Sequence, residues 1–343
     1  MGNTSKEDHG IMRRSRIAGI GFYVPEKIVT NDDLAKMFNT SDEWILKRTG
    51  IKERRYAADG EGVADMALKA THRCLDDAGM KPKDIDFIIL ATLSPDHCFP
   101  ASSQFLQGYL DIPPTPAVDV HAQCSGFLYA LALADQCIRT GFYNNVLVVG
   151  GENHSTGIEY SNRGRDVTVI FGDGAGAIML TAAQEGDSRI ILNSHLYSEG
   201  KYAKVLWTEY PASKNMPRLT HQSLDEGRHY PRMNGKYVFK HAITRLPEVI
   251  LEALQAGGYT IKDLDMLIPH QANLRINEFA ALQLGIPAEK MYNNIERYGN
   301  TTAATIPIGL CEARDKGLLK NGALICLAAF GAGFTWGATL IRW

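Results

Sequence analysis

The chain carries an internal repeat, which constrains its fold more than any other feature of the sequence. Residues 75–89 (LDDAGMKPKDIDFII) align with residues 254–268 (LQAGGYTIKDLDMLI), and a second match relates the apolar runs 146–149 and 324–327. Each copy of the longer match has the pattern of a helix that ends at glycine, then a turn, then a buried strand. Because the copies lie about half the chain apart, we predict two similar α/β halves.

Composition and charge exclude several classes of protein. The 343 residues are 45% hydrophobic and 22% charged, as in ordinary globular proteins. The 36 lysines and arginines balance 38 aspartates and glutamates, so no overall charge favours nucleic acid or an anionic membrane. No apolar stretch approaches transmembrane length. The six cysteines include no CxxC pair, which predicts reduced thiols in the cytoplasm.

Cys124 is the strongest candidate for a nucleophile. It follows a short apolar run, residues 117–120, with the pattern of a buried strand, and it precedes an Ala/Leu-rich run with helical spacing. At such a junction, unpaired N–H groups and the helix dipole favour a thiolate. A cysteine is also often an ordinary buried residue, so this context alone leaves both interpretations open.

Two further polar residues stand at predicted strand-to-helix junctions, where parallel sheets gather ligands and catalytic groups. His270 follows the apolar run 267–269, and Asn300 lies in a Gly-Asn turn before a Thr/Ala-rich helix. Taken singly, His270 fits a hydrogen-bonded structural residue and Asn300 fits a helix N-cap. Together with Cys124 they form a Cys/His/Asn set.

Six ordered segments resemble a known family. They are residues 40–50 (TSDEWILKRTG), 123–127 (QCSGF), 171–176 (FGDGAG), 269–275 (PHQANLR), 298–304 (YGNTTAA) and 330–337 (FGAGFTWG). From about residue 17 to its C-terminus the chain resembles 3-oxoacyl-[acyl-carrier-protein] synthase III, a ketoacyl synthase of the thiolase superfamily. The resemblance implies a five-layer α-β-α-β-α fold of two pseudo-repeated halves.

The same resemblance implies a division of the chain. A flexible N-terminal extension is expected at residues 1–12. The first thiolase-like half, with the nucleophile, is expected at residues 13–185, and the second half, with the His/Asn pair, at residues 186–343.

The activity implied by the resemblance is a decarboxylative Claisen condensation that starts fatty-acid synthesis. An acyl-CoA primer is joined to malonyl-acyl carrier protein through an acyl-cysteine intermediate, which divides one difficult step into two easier ones. Cys124 would hold the acyl group, and His270 and Asn300 would stabilise the enolate. Backbone N–H groups of Cys124 and Ala332 would form the oxyanion hole, although many members have glycine at the second position. No metal or cofactor is implied beyond the two substrates.

Further residues match substrate-binding positions of the family. Trp44 and Arg48 match the pair that sandwiches the CoA adenine, through an aromatic face and a guanidinium plane. Arg165 matches an arginine near the adenosine phosphates, with Arg163 as the competing match. Trp44 also fits an ordinary core aromatic residue.

The remaining matches concern protein partners. Phe99 matches a residue that crosses a homodimer interface to line the partner's acyl pocket. Lys240 and Arg275 match basic residues that dock the acidic acyl carrier protein, although Lys240 also fits a solvated surface. The segment 197–233, rich in polar residues, Pro and His, is predicted to form a long loop and lid.

Other chemistries in the superfamily are less compatible with the sequence. A thiolase would need a second catalytic cysteine in the loop 330–334, whereas Cys326 lies upstream of that loop. An elongating synthase would need a second histidine where Asn300 stands. Gln123 resembles branches that use longer acyl chains in secondary metabolism, so a ketosynthase III-like acyltransferase or condensing enzyme of that kind is the alternative. A decayed scaffold is disfavoured because all three catalytic positions are intact.

Overall fold

The structure is a computed structural model that describes residues 13–343, and the predicted extension 1–12 lies outside that range. The β-strands are β1 (Ser15–Tyr23), β2 (Lys27–Thr30), β3 (Glu53–Tyr56), β4 (Phe87–Ala91), β5 (Ala117–Val120), β6 (Asn145–Glu152), β7 (Gly174–Ala182), β8 (Ile190–Ser198), β9 (Leu206–Trp207), β10 (Arg232–Met233), β11 (Met266–Pro269), β12 (Leu324–Gly331) and β13 (Thr335–Arg342).

The α-helices are α1 (Asn31–Ala35), α2 (Asp42–Thr49), α3 (Val63–Ala78), α4 (Ser102–Tyr109), α5 (Gly126–Arg139), α6 (Arg165–Thr168), α7 (His221–Asp225), α8 (Gly235–Ala256), α9 (Leu274–Leu284), α10 (Ile295–Tyr298) and α11 (Thr305–Asp315). Short 3-10 helices cover Pro82–Asp84, Gln123–Ser125, Gly200–Val205, Ile261–Asp263, Ala288–Lys290 and Thr302–Ala304. Within the described range, no helix is both long enough and apolar enough to cross a membrane.

The predicted repeat is present in the structure. α3 ends at Gly79, whose φ of 64° is left-handed, and the chain then passes through a 3-10 turn into β4. At the same point of the second copy, Gly258 follows α8 with φ of 77°, and a 3-10 turn leads into β11. Glycine suits both positions because it adopts the left-handed conformation without a steric penalty.

Strand pairing is also repeated. Nine strands form a sheet in the order β11-β12-β13-β8-β1-β7-β6-β4-β5, and the two halves meet at β1 and β8 through the Arg16–Ile190 pair. In the first half β4 pairs in parallel with β6, which pairs antiparallel with β7. In the second half β11, β12 and β13 have the same relationship.

Successive residues of the central strands face different layers. Ile89 of β4 packs in the cluster that contains α5 and α11, whereas Ile88 packs with α3. In β12, Leu327 joins the α5 and α11 cluster, and Cys326 joins the α8 cluster. The two-residue period of a strand therefore places α5 and α11 between the halves, with α3 and α8 on the outer faces. The predicted five-layer α/β fold of two similar halves is confirmed.

The prediction of a buried strand at residues 117–120 is wrong in one respect. The strand exists as β5, but it forms an edge of the sheet, and Val118 is 42% exposed. A short apolar run does not distinguish a central strand from an edge strand, because sheet position depends on the path of the whole chain.

The segment 197–233 contains more secondary structure than a loop. It includes the end of β8, the helix α7, and strands β9 and β10, which pair with each other. Leu206 and Met233, from these two short strands, line the main cavity. Part of the segment therefore belongs to the wall of this cavity, and its role as a lid stays a prediction.

Candidate active site

Cys124 lies in the 3-10 turn Gln123–Ser125, between β5 and α5. The turn places Gln123 at φ of 48°, in the left-handed region. The Ser125 hydroxyl is 2.6 Å from the Thr335 hydroxyl, which joins the turn to the start of β13. Cys124 opens onto a cavity of about 1340 Å³, whose wall also contains Asn300. Two of the three predicted catalytic residues therefore share one cavity.

The environment of the Cys124 thiol does not favour a thiolate at neutral pH. Burial raises its pKa to about 12, and the charge of Glu152 adds to this shift. The backbone N–H groups of Ala332 and of Cys124 itself act in the opposite direction. The donors at the helix start lower the pKa of the thiol by less than the loss of solvent raises it.

Those two N–H groups are the pair expected to form the oxyanion hole. Both act as hydrogen-bond donors to the Cys124 sulfur and so lower the pKa of its thiol. Ala332 is 9% exposed in the turn that follows β12. The methyl group of Ala332 leaves its backbone donor in place, so the departure from glycine is compatible with the role.

His270 directly follows β11 and is 3% exposed. Its backbone N–H donates to the Ala328 carbonyl at 2.7 Å, which anchors it beside β12. Neither ring nitrogen has a hydrogen-bond partner within residues 13–343. Burial lowers the imidazole pKa to about 3, so the ring is neutral at physiological pH. A neutral imidazole carries one N–H, and this one is left free to donate.

Three hydrogen bonds hold Asn300 in place. Its backbone N–H donates to the Ile170 carbonyl at 2.9 Å, and its carbonyl accepts from Gly172 N–H at 3.1 Å. Its side-chain Oδ1 accepts from the backbone N–H of Thr302 at 2.8 Å. With Oδ1 occupied in this way, the Nδ2 amide group is the one left to face the cavity that Asn300 lines. Asn300 therefore presents an N–H donor to the cavity, and the N-cap positions of the two helices that follow are Thr301 and Ala304.

Two buried ionisable residues near the site were not identified from the sequence. Glu152 ends β6 with 0% exposure, and burial raises its pKa to about 7 despite several hydrogen bonds. His154 is 6% exposed, and burial lowers its pKa to about 3, with a further contribution from His270. The sequence does contain a signal for these two residues. Glu152 and His154 follow the apolar run 146–151, which is the same strand-end pattern that identified His270.

The mouth of the cavity contains a stacked group of aromatic and basic side chains. The guanidinium carbons of Arg48 and Arg165 lie 4.2 Å and 4.5 Å from the centre of the Trp44 ring. Arg163 instead pairs with Glu159 at 2.8 Å. The geometry therefore favours Arg165 over Arg163 as the second arginine at Trp44. Because Trp44 lines the cavity and stacks on cations, it is more than a core aromatic residue.

One of the two predicted carrier-protein contacts lies in the cavity wall. Arg275, exposed at the start of α9, lines the cavity and stacks 5.7 Å from the ring of Phe239. Lys240 is exposed on α8, one residue beyond Phe239, and is not among the lining residues, whereas Lys236 of the same helix is. The wall also contains the acidic residues Glu43 and Asp166.

Phe99 lies away from these groups, in the loop between β4 and α4, and is 83% exposed. A large apolar side chain with that exposure has no cover within the described part of the chain. The structure thus does not bring Phe99 into the cavity of its own subunit.

Two family profiles match the chain. Residues 118–200 match the profile described as 3-oxoacyl-[acyl-carrier-protein (ACP)] synthase III. Residues 254–343 match the profile of the C-terminal part of the same synthase.

Whole-chain comparisons agree with these matches. The chain is 45% identical over 327 residues to the beta-ketoacyl-[acyl-carrier-protein] synthase III of Caldanaerobacter subterraneus subsp. tengcongensis, an alignment that covers 95% of this chain and 97% of that protein. It is 43% identical over 333 residues to the Rhodospirillum centenum protein of the same description, with 96% and 99% coverage. The crystal structure of 3-oxoacyl-[acyl-carrier-protein] synthase III from Aquifex aeolicus VF5 is similar with a TM-score of 0.87 and 41% identity, and the match covers 96% of this chain and 100% of that one.

Proposed function

The chain belongs to the 3-oxoacyl-[acyl-carrier-protein] synthase III family, and we propose that it condenses an acyl-CoA primer with malonyl-acyl carrier protein, with loss of carbon dioxide. The product is a 3-oxoacyl-acyl carrier protein, and the reaction initiates fatty-acid synthesis. One observation carries this function: Cys124 and Asn300 open onto a single cavity whose mouth contains Trp44 and Arg48.

In the first half-reaction Cys124 is the nucleophile. Its sulfur attacks the thioester carbonyl of acyl-CoA, the bond to the CoA sulfur breaks, and the thiol proton ends on CoA. Because the resting thiol is protonated, this proton has to leave as the new bond forms. Only the thiolate is a good nucleophile, so the N–H groups that stabilise negative charge at this sulfur assist the step.

In the second half-reaction malonyl-acyl carrier protein loses carbon dioxide, and negative charge develops on the thioester oxygen. His270 and Asn300 supply two uncharged N–H donors for that oxygen. Preorganised donors aimed at developing charge are a strong catalytic device, and a carboxylate in the same place would repel the enolate. His270 donates from Nε2 in this scheme.

The enolate carbon then attacks the acyl-Cys124 carbonyl. The oxyanion that forms accepts hydrogen bonds from the backbone N–H groups of Cys124 and Ala332, the same groups that lower the pKa of the thiol. This attack forms the carbon–carbon bond, and collapse of the intermediate then breaks the bond between the carbonyl carbon and the Cys124 sulfur, which leaves as a thiolate and takes up a proton to restore the thiol. A thiol, an imidazole and two kinds of amide supply all of this chemistry, so we propose that no metal or cofactor takes part.

The two substrates are assigned to two sets of basic residues. Trp44, Arg48 and Arg165 hold the CoA nucleotide, with an aromatic face for the adenine and guanidinium groups for the phosphates. Lys240 and Arg275 dock the acidic carrier protein, since both are exposed cations and Arg275 also lines the cavity.

We also propose a homodimer and a reducing compartment. The exposed Phe99 and the open edge of β5 both need cover, and a two-fold interface would supply it to both subunits. Phe99 would then line the partner's acyl pocket. All six cysteines are unpaired, which is consistent with the cytoplasm.

A panel of acyl-CoA primers with malonyl-acyl carrier protein tests the function. The native protein should release carbon dioxide and form 3-oxoacyl-acyl carrier protein, and Cys124→Ser should hold no acyl group and form no 3-oxoacyl product. Transfer of the acyl group without carbon dioxide release would instead identify an acyltransferase that does not condense. The most active chain length in the same panel identifies the preferred primer.

A further inference from the structure

Glu152 accepts a set of hydrogen bonds from the loop after β4. The Ser94 hydroxyl donates at 2.6 Å and the Thr92 hydroxyl at 3.2 Å. The backbone N–H groups of Leu93 and Ser94 donate at 3.2 Å each. A carboxylate with 0% exposure loses its hydration, and these donors replace it.

The same carboxylate also reaches the turn that contains Asn300. The backbone N–H of Ala303 donates to Glu152 at 3.4 Å, and the Thr302 hydroxyl stabilises the charged form of Glu152. The Thr302 hydroxyl is 3.1 Å from Nε2 of His154. When Glu152 is ionised it only accepts, so in that state the Thr302 hydroxyl donates to Glu152 and accepts from Nε2–H of His154.

Thr302 connects this buried group to the catalytic amide. Its backbone N–H is the donor that holds Oδ1 of Asn300, at 2.8 Å. It also adopts φ of 38°, in the left-handed region that a threonine rarely occupies. A strained residue persists only where its surroundings hold it, and here the holding groups are Glu152 and His154.

We propose that Glu152 is a positioning residue for Asn300: through Thr302 and Ala303 it keeps the Asn300 amide aimed at the enolate oxygen. Glu152 thus supports the decarboxylation step indirectly, through one hydrogen bond to Thr302 and a second from Thr302 to Asn300. His154 supports the same turn by donating to Thr302.

A different role, as a base for Cys124, does not fit the electrostatics. The negative charge of Glu152 raises the pKa of the Cys124 thiol and so opposes the thiolate. Loss of that charge should therefore not slow acylation, whereas misorientation of Asn300 should slow decarboxylation. Measuring the two half-reactions separately therefore distinguishes the three roles. A positioning residue affects decarboxylation alone, a base for Cys124 affects acylation, and a general structural residue affects both.

The test measures both half-reactions in Glu152→Gln, Thr302→Val and Thr302→Ser. Glutamine has one acceptor oxygen and places an NH₂ against donors of the loop after β4, while valine removes only the hydroxyl of Thr302. We expect kcat for malonyl-acyl carrier protein decarboxylation to fall about tenfold in Glu152→Gln and in Thr302→Val. This loss is smaller than the roughly hundredfold loss expected when an oxyanion donor is removed outright. Acyl transfer to Cys124, followed by intact mass, should be no slower than in the native protein, and Thr302→Ser should retain native decarboxylation.

Asp135→Asn is the matched control for loss of a buried carboxylate. Asp135 is 2% exposed, accepts from the Ser15 hydroxyl, and lies on α5 away from the cavity. It should leave both half-reactions unchanged. Circular dichroism verifies that each variant is folded. If Glu152→Gln does not fold, the difference in decarboxylation rate between Thr302→Val and Thr302→Ser tests the proposal instead.

Two results would overturn the proposal. One is native decarboxylation in the folded variants, and the other is an equal loss of both half-reactions. Since the role presupposes the condensation proposed above, the native protein is measured first. A native protein that does not decarboxylate malonyl-acyl carrier protein refutes the function itself, whereas an active native protein with equally active variants refutes only the role of Glu152.

Discussion

Gly331 lies against Cys124 so closely that a Cβ on Gly331 would be 2.6 Å from the Cβ of Cys124 and 3.1 Å from its sulfur. The contact brings the end of β12 onto the nucleophile turn and places the next residue, Ala332, with its N–H directed at the sulfur. The oxyanion hole proposed for Cys124 and Ala332 therefore depends on the absence of a side chain at position 331.

Gly331→Ala should strongly reduce both acylation and condensation. The added methyl must displace the Cys124 turn, and a shift of about 1 Å at a reacting atom can cost roughly a hundredfold in rate. Single-turnover acylation followed by intact mass measures the loss. Gly200→Ala is the control, because a Cβ there meets nothing within 4 Å. Native acylation by Gly331→Ala would show that the turn can move without cost.

Cys124 should react as a thiol with a strongly raised pKa. Because burial raises the pKa to about 12, the thiolate fraction should increase roughly tenfold for each pH unit across the neutral range, and alkylation by iodoacetamide should follow it. The rate is read at the Cys124 peptide by mass spectrometry, in a Cys98→Ser background because Cys98 is exposed.

A variant without the charge of Glu152 provides a comparison for the alkylation rate of Cys124. Glu152→Gln should increase the reactivity of Cys124 at a given pH, because it removes a charge that raises the thiol pKa. A rate that levels off near pH 8.5, the approximate pKa of an ordinary cysteine, would contradict the buried thiol.

His270→Ala and Asn300→Ala should slow decarboxylation without preventing acylation of Cys124. Both variants should still accept an acyl group on Cys124, since neither residue contacts the attacking sulfur in the proposed scheme. Decarboxylation of malonyl-acyl carrier protein should fall on the order of a hundredfold or more in each, because each loses one donor to the enolate. Radiolabelled carbon dioxide release gives the second rate. An equal loss of acylation in folded protein would contradict this division of labour.

Charge reversal at Lys240 and Arg275 should weaken carrier-protein docking. Lys240→Glu with Arg275→Glu should raise the KM for malonyl-acyl carrier protein and reduce its salt dependence, because attraction between exposed charges is screened by salt. Acylation by acyl-CoA should change much less, since Trp44 and Arg48 make that contact. Lys83→Glu with Lys320→Glu changes the net charge equally at exposed positions elsewhere. If the control pair raises KM as much, the effect is one of net charge and the docking patch lies elsewhere.

The edge strand β5 should lie in a homodimer interface. Sedimentation of the native protein at micromolar concentration should show a dimer, and Val118→Lys should shift it toward monomer because a charge would be buried at the interface. Leu282→Lys is the matched control, on α9 at the opposite end of the molecule, where Leu282 is 78% exposed. A monomeric native protein would leave Phe99 without a partner pocket.

Much of the fold and of the catalytic set was accessible from local pattern. The repeat around Gly79 and Gly258 predicted two similar halves because glycine at a helix end, a turn and an apolar run are each short-range signals. The strand-end positions of Cys124, His270 and Asn300 were readable for the same reason. Glu152 stood in an equally visible strand-end position, but its meaning depends on Thr302, which lies far away along the chain.

The sequence by itself determined the repeated helix–turn–strand pattern of the two halves and which side chains stand at strand ends, because these depend on neighbours in the chain. Only the tertiary structure decided which distant groups meet and what water reaches them. It placed Arg165 rather than Arg163 on Trp44, moved β5 to an edge, and brought Glu152 to the Asn300 turn. It also buried the thiol of Cys124, so that desolvation outweighs the donors of the helix start. Exclusion of solvent is a property of the complete chain path, which no local pattern contains.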